Sequence, residues 1–201
     1  SQDNTNIYIS TPQGILYFNG ISWNKIETPG KAIFCDKHKG NIFVGAKNFI
    51  GEITSNEFHQ KELKSIITDT ITFTGNVTKL VCYKNQPYFI ANNLLYTVTN
   101  GNLQQIQFTE KITSIFIVRE RFFISTATQL YEFHSVTDIT PLVNEAAITG
   151  IYCDGATILR LKDRFVKLLS DNTIVAFPTE IDNILRDEFV CFISVNDDLI
   201  I

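Results

Sequence analysis

The stretch ITSIFIVRERFFIS, residues 112–125, lies over ITGIYCDGATILRL, residues 148–161, without a gap. Each reads as an apolar run, a short turn and a second apolar run, which is the pattern of a buried β-hairpin. Working outward, the first run has copies at Ile33-Phe34-Cys35, Leu80-Val81-Cys82, Ile115-Phe116-Ile117, Ile151-Tyr152-Cys153 and Phe192-Ile193-Ser194. The second run recurs at Asn41-Ile42-Phe43-Val44, Tyr88-Phe89-Ile90, Arg121-Phe122-Phe123-Ile124 and Thr157-Ile158-Leu159.

A polar turn between two further apolar runs keeps phase with these hairpins: Asn19-Gly20, Ser55-Asn56, Asn100-Gly101, Ser135-Val136 and Asp171-Asn172. The second residues fall at 20, 56, 101, 136 and 172, so the spacings are 36, 45, 35 and 36. The surplus of the long interval falls in about 59–76 and reads as an extended link between units. Each unit is therefore strand a, turn, strand b, loop, strand c, turn, strand d. A strand repeat of this length predicts an all-β fold, a β-propeller of four-stranded antiparallel blades with about five blades present and with the possibility of a larger propeller. Strand a is expected to be the inner strand, apolar on both faces, and strands c and d to lie nearer the rim. Asn-Gly suits a two-residue hairpin turn with both residues at positive φ.

Composition fits one domain over residues 1–201, with 44% hydrophobic residues. No run of 18 apolar residues is present, so no membrane contact by this segment is expected. Lys plus Arg number 17 against 21 Asp plus Glu, without a basic cluster, which argues against a nucleic-acid surface. The chain begins with Ser, contains no Met and stops at Leu199-Ile200-Ile201, which aligns with the opening of a strand b. The expectation is a parent protein with further repeats. The alternative is a closed five-bladed ring in which residues 189–195 complete a blade with residues 6–28.

Cys35, Cys82 and Cys153 occupy one column of the repeat, shared with Ile117 and Ser194. Equivalent positions on adjacent blades lie roughly 10 Å or more apart, too far for a disulfide. With Cys191 in a neighbouring column, all four are expected as buried free thiols.

Residues 7–53, IYISTPQGILYFNGISWNKIETPGKAIFCDKHKGNIFVGAKNFIGEI, carry more than a period. An apolar strand ends in Ser10-Thr11, then come Gly14-Ile15-Leu16-Tyr17, Asn19-Gly20, Trp23, a Pro29-Gly30 link, Asp36, Gly40-Asn41-Ile42-Phe43-Val44-Gly45 and Phe49-Ile50-Gly51. Gly51 reads as a site of close backbone approach. This stretch resembles the two-component-regulator propeller repeat, found in the sensor ectodomains of bacterial hybrid histidine kinases and of related regulators with a triple-tyrosine domain. Later units keep only Leu94-Leu95-Tyr96 and Leu130-Tyr131. The resemblance implies an extracytoplasmic sensor domain, periplasmic or extracellular, that binds a small-molecule or oligosaccharide signal without catalysis. It also implies a homodimer formed through the parent receptor. The matched residues build blades, so no ligand residue transfers with the resemblance.

Candidate site residues come from chemistry alone. Trp23 offers a face for a sugar ring or serves as the strand-d packing aromatic. Asp36, Glu120, Asp154 and Asp197 fall in or beside a–b turns, which places them at one end of the propeller near the axis. Such a ring of carboxylates suits a cation or a sugar, yet turns favour Asp for local hydrogen bonds in any case. His38, His59 and His134 are scattered over different units without metal-ligand spacing, so no metal is expected. The sequon Asn76-Val77-Thr78 carries no weight by itself. No phosphate loop, serine elbow or Cys-His arrangement is present, and no cofactor is expected. Beside the sensor reading stand a protein-interaction scaffold and a carbohydrate-active enzyme, the latter resting on the turn carboxylates.

Overall fold

The computed structural model describes residues 6–36, 42–57, 60–68, 73–153, 155–180, 193–195 and 198–200. All regular elements among them are β-strands, as runs of Ile, Val, Phe and Tyr broken by Gly and Asn require. The chain divides into two units, residues 1–107 and 108–201. The first holds a three-stranded sheet of β1 (Ile7–Thr11), β2 (Gly14–Phe18) and β3 (Trp23–Ile26). It also holds two four-stranded sheets. One comprises β4 (Ile33–Asp36), β5 (Ile42–Ala46), β6 (Phe49–Ser55) and β7 (Lys61–Ser65); the other comprises β8 (Val77–Tyr83), β9 (Gln86–Ala91), β10 (Leu94–Thr99) and β11 (Asn102–Ile106).

The second unit holds β12 (Ile112–Val118), β13 (Arg121–Thr126), β14 (Leu130–Ser135) and β15 (Asp138–Val143) in one sheet. A second sheet contains β16 (Thr149–Cys153), β17 (Ala156–Arg160), β18 (Phe165–Leu168) and β19 (Ile174–Ala176); β20 (Ile193–Val195) and β21 (Asp198–Ile200) form a hairpin. Every pairing is antiparallel between strands consecutive in sequence, so each complete sheet is an a-b-c-d meander. These are propeller blades, as the repeat predicts.

Burial corrects the expectation that strand a is enclosed on both faces. Strand b is the most enclosed: β5 and β17 are buried throughout, β9 and β13 everywhere but their first residue. Strand a is more open, as β8 and β16 show. The physical reason is that strand a has a hydrogen-bonded neighbour on one flank only, whereas strand b is flanked by a and c and covered on both faces. Strand d is the most solvated, as expected.

Register brings a second correction. The turn-flanking pair Val118↔Arg121 corresponds to Cys153↔Ala156, and Phe122↔Phe133 corresponds to Thr157↔Leu168, an offset of 35 residues. The ungapped overlay of 112–125 on 148–161 is thus one residue out, and one residue inverts every side chain between faces. Both a–b turns are two residues long, so the slip comes from matching apolar residues, which a one-residue shift also satisfies. Cys153 therefore matches Val118 and leaves the column of Cys82. Both are free thiols, Cys153 buried and Cys82 partly so. Cys35 lies in β4, and Cys191 lies outside the described residues.

The 59–76 stretch is not all link. Its Lys61–Ser65 segment is strand β7, whose charge hid it; only Leu63 turns inward, onto the cluster around Ile42, Val44 and Ile53. The connection that follows buries Phe73 against Phe89. Asn100 and Gly101 have φ of 52° and 82°, the two-residue turn expected. Asn19-Gly20 instead opens a four-residue loop in which the Asn19 Oδ1 accepts from the amides of Ile21 and Ser22. Gly51 behaves as predicted, since a Cβ there would meet the Lys64 carbonyl oxygen. Finally, β20 takes β21 as its antiparallel partner, and the first sheet has three strands among the described residues.

In the second unit the β12–β15 and β16–β19 sheets share a core. Phe116, Phe123 and Leu130 meet Leu159, Leu161, Val166 and Leu168, with the Phe116 and Phe123 rings stacked at 5.3 Å. Buried hydroxyls fasten the join: Ser114 Oγ donates to the Ile148 carbonyl (2.8 Å), and the Ala147 amide donates to Ser125 Oγ (2.9 Å). Each satisfies a backbone group that would be costly to bury alone.

Candidate functional site

At the turn end of this shared core the two sheets separate into a cleft of about 780 Å³. That lies within the range of small-molecule sites, roughly 300–1,000 Å³. Its apolar lining is Val118, Ala156 and Leu168, all buried. The polar lining comes from the β12–β13 turn, Arg119 and Glu120, from Arg121 and Glu132 on neighbouring strands, and from Tyr152 and Asn172 of the next sheet.

Arg121 opens β13, and Glu132 on β14 lies opposite Phe123, two residues further along β13. The Arg121 Nε donates to Glu132 Oε1 and its Nη2 to Oε2, both at 2.7 Å, a bidentate fork. Glu132 is only 7% exposed, so this pairing offsets the cost of burying its carboxylate. The same Nη2 reaches Asn172 Oδ1 at 2.7 Å in the β18–β19 turn and ties one sheet to the next. The preceding Asp171 holds that turn by accepting the Thr173 amide (2.9 Å), which keeps its carboxyl below the usual carboxylate range.

Arg119 makes the second tie. Its guanidinium carbon lies 3.3 Å from the centre of the Tyr152 ring, a cation–π stack across sheets. Beside it Glu120 is exposed. Among the described residues no cluster of His, Cys, Asp and Glu suits a metal ion.

Of the sequence candidates, Glu120 is the one that lines this cleft. Asp36 ends β4, beside an a–b turn as expected, and its side chain lies outside the described set. Asp154 and Asp197 lie outside the described residues, as do His38 and His59. His134 is an exposed residue of β14. Trp23, 52% exposed, leans on Phe18 with ring centres 5.3 Å apart and is not part of the cleft. Across the first sheet Ile7, Phe18 and Trp23 are opposite one another, so the tryptophan belongs to an apolar row. The residues that sequence reasoning missed are Arg119, Arg121, Tyr152 and Asn172. The signal was present as Arg119-Glu120-Arg121, a dense charge cluster in an a–b turn.

Neither a family model nor a curated protein matches the sequence. Solved structures do. The extracellular domain of the hybrid two-component system BT3049 of B. thetaiotaomicron has TM-score 0.65 at 11% identity, covering 88% of this chain and 27% of that one. For the extracellular domain of BT4673 from the same organism the TM-score is 0.62 at 18% identity, with 91% of this chain and 27% of that chain covered. The WD40 propeller of Doa1 gives 0.58 at 14% identity, with coverage of 86% and 64%. The chain thus spans about a quarter of the length of the two ectodomains. At such identities the likeness is one of fold: this chain carries the β-propeller fold, shared with extracellular domains of the regulator class that residues 7–53 resemble.

Proposed function

We propose that the chain is a ligand-sensing β-propeller domain of a bacterial signal-transduction regulator, acting outside the cytoplasm and binding its signal without changing it. The observation that carries this reading is the cleft between the β12–β15 and β16–β19 sheets, apolar below and charged at its mouth. Ligands that touch two blades at once gain a means of reporting, because occupancy favours one separation of the blades over another. The resemblance of residues 7–53 to sensor repeats and the fold shared with two-component ectodomains support the same assignment.

Binding is favoured over catalysis by the state of the carboxylates. Hydrolysis of a glycoside needs an acid and a base free to exchange protons across the bond. Of the two glutamates in the cleft, Glu132 has both oxygens engaged by Arg121, which leaves Glu120 without a counterpart in the described lining. A thermal-shift screen of the domain against neutral and acidic oligosaccharides, with chromatography of the recovered sugar, tests the proposal. Stabilisation by RT ln(1 + [L]/Kd) with intact sugar is expected. Turnover of the sugar, or no shift with any member of the panel, overturns it.

A further inference from the structure

Among the described residues, eight non-glycine positions have positive φ, and six of them are asparagines. Asparagine tolerates that conformation through local hydrogen bonds of its short side chain; arginine has no such relief. Arg119 nevertheless adopts φ 53°. Lys84 shares positive φ at the equivalent turn position, so what distinguishes Arg119 is where its side chain goes.

What it does is present a guanidinium flat on Tyr152. A stacked guanidinium keeps its N–H groups in plane and pointing outward, while the ring removes most of its freedom to swing. Among the described residues no hydrogen bond or ion pair engages those donors. The neighbouring Arg121 spends Nε and Nη2 on Glu132 and Asn172, and Nη1 carries none of these bonds. Two sets of guanidinium donors therefore line a cleft whose base is Val118, Ala156 and Leu168.

We infer that the cleft binds an acidic sugar, its carboxylate held by the fork of Arg119 with Nη1 of Arg121 as a further donor. This rests on the sensing function proposed above and specifies its ligand. A planar carboxylate matches a guanidinium edge bidentately. The four charged side chains among the described lining residues, Arg119, Glu120, Arg121 and Glu132, sum to zero, so a singly charged carboxylate suits the site better than a doubly charged phosphate. Glu120 accepts from sugar hydroxyls, and the apolar base receives the C–H face of the ring.

The test is titration calorimetry of the whole domain with digalacturonate and trigalacturonate and with their methyl esters, at low and high salt. The acids are expected to bind at least about tenfold tighter than the esters, and less tightly as salt rises. Arg119→Gly suits the positive φ and keeps the fold, checked by circular dichroism, but loses at least about tenfold in affinity for the acid. Arg119→Lys keeps the charge without the fork and recovers little of that loss. Glu120→Gln removes a like charge and tightens the acid. Equal affinity for acid and ester, or an Arg119→Gly variant that binds as the parent does, overturns the acidic-sugar assignment and leaves the sensing function standing. Absence of binding by either acid also overturns it; the sensing function falls only if the neutral panel fails as well.

Discussion

Two a–b turns of equal length, Lys84-Asn85 between β8 and β9 and Arg119-Glu120 between β12 and β13, have been put to different use. Both begin with a basic residue at positive φ, 48° for Lys84 and 53° for Arg119. Lys84 Nζ lies over the ring of its own sequence neighbour Tyr83, at 4.9 Å, whereas Arg119 crosses to Tyr152 of the next sheet at 3.3 Å. The residue after each turn differs in the same sense. Gln86 serves only its own strand, accepting from the Tyr88 hydroxyl at 3.4 Å, while the equivalent Arg121 clamps buried Glu132 and reaches Asn172. A turn becomes a site when its side chains find partners on another blade; positive φ at the first residue is common to both turns, whereas the second residue is positive only at Asn85.

The largest test of that contrast is removal of the clamp. Arg121→Ala leaves Glu132 buried with neither oxygen paired and is expected to cost about 3 kcal/mol in urea denaturation. Gln86→Ala at the equivalent position is expected to cost less than about 1 kcal/mol. Similar losses for the two would show that the pairing in the second unit carries no special weight.

Next comes the link itself. Asn172→Ala removes the acceptor of Arg121 Nη2 and puts alanine at φ 67°, for an expected loss of about 2 kcal/mol. In a double-mutant cycle with Arg121→Ala the loss in the double variant should fall short of the sum of the two single losses by about 1 kcal/mol, because both substitutions delete the same bond. Strict additivity would mean that the 2.7 Å contact contributes nothing in solution.

A smaller difference separates the turn residues. Glycine at position 84 or 119 relieves the backbone but widens the unfolded ensemble, effects of roughly 1 kcal/mol each and opposite sign. Arg119→Gly also loses the Tyr152 stack, so it should be less stable than Lys84→Gly by about 0.5 kcal/mol. The reverse order would remove the distinction between a local and a cross-sheet cation–π contact.

The smallest effect is acid sensitivity in the β18–β19 turn. The Thr173 amide holds the Asp171 carboxyl below its ordinary range. A group with a depressed folded pKa contributes stability that is complete above its unfolded value, near 4, and that disappears as pH falls through the folded value. Asp171→Asn should therefore flatten the loss of stability as pH falls below about 4 relative to the parent protein. An unchanged profile would show that the turn does not discriminate between the protonated and ionised acid.

Much of the fold was readable because its determinants are local. Runs such as Arg121–Thr126 and Ala156–Arg160 announce strands through branched and aromatic residues, and Asn100-Gly101 announces its turn through the φ values those residues accept. Where reading failed, a non-local term decided. Lys61–Ser65 is a strand because Leu63 has a core to meet and β6 offers it a ladder, neither of which shows in one leucine among four polar residues. The overlay of units slipped by one residue because matching apolar residues tolerates a shift that hydrogen-bond register does not. The site was less legible still: Glu120 was foreseen in its turn, but the pairing of Arg119 with Tyr152 joins positions from different blades.

By itself the sequence determined the blade: its strand count, its antiparallel meander and the polar turns that separate strands, all set by contacts between residues near one another along the chain. Tertiary structure alone decided which strand is most enclosed, which residues face across the join of β12–β15 with β16–β19, and that two arginines and two glutamates meet over an apolar base. The reason is that burial and charge pairing depend on what lies beyond the sheet, and a repeat specifies each sheet before it specifies the neighbour packed against it.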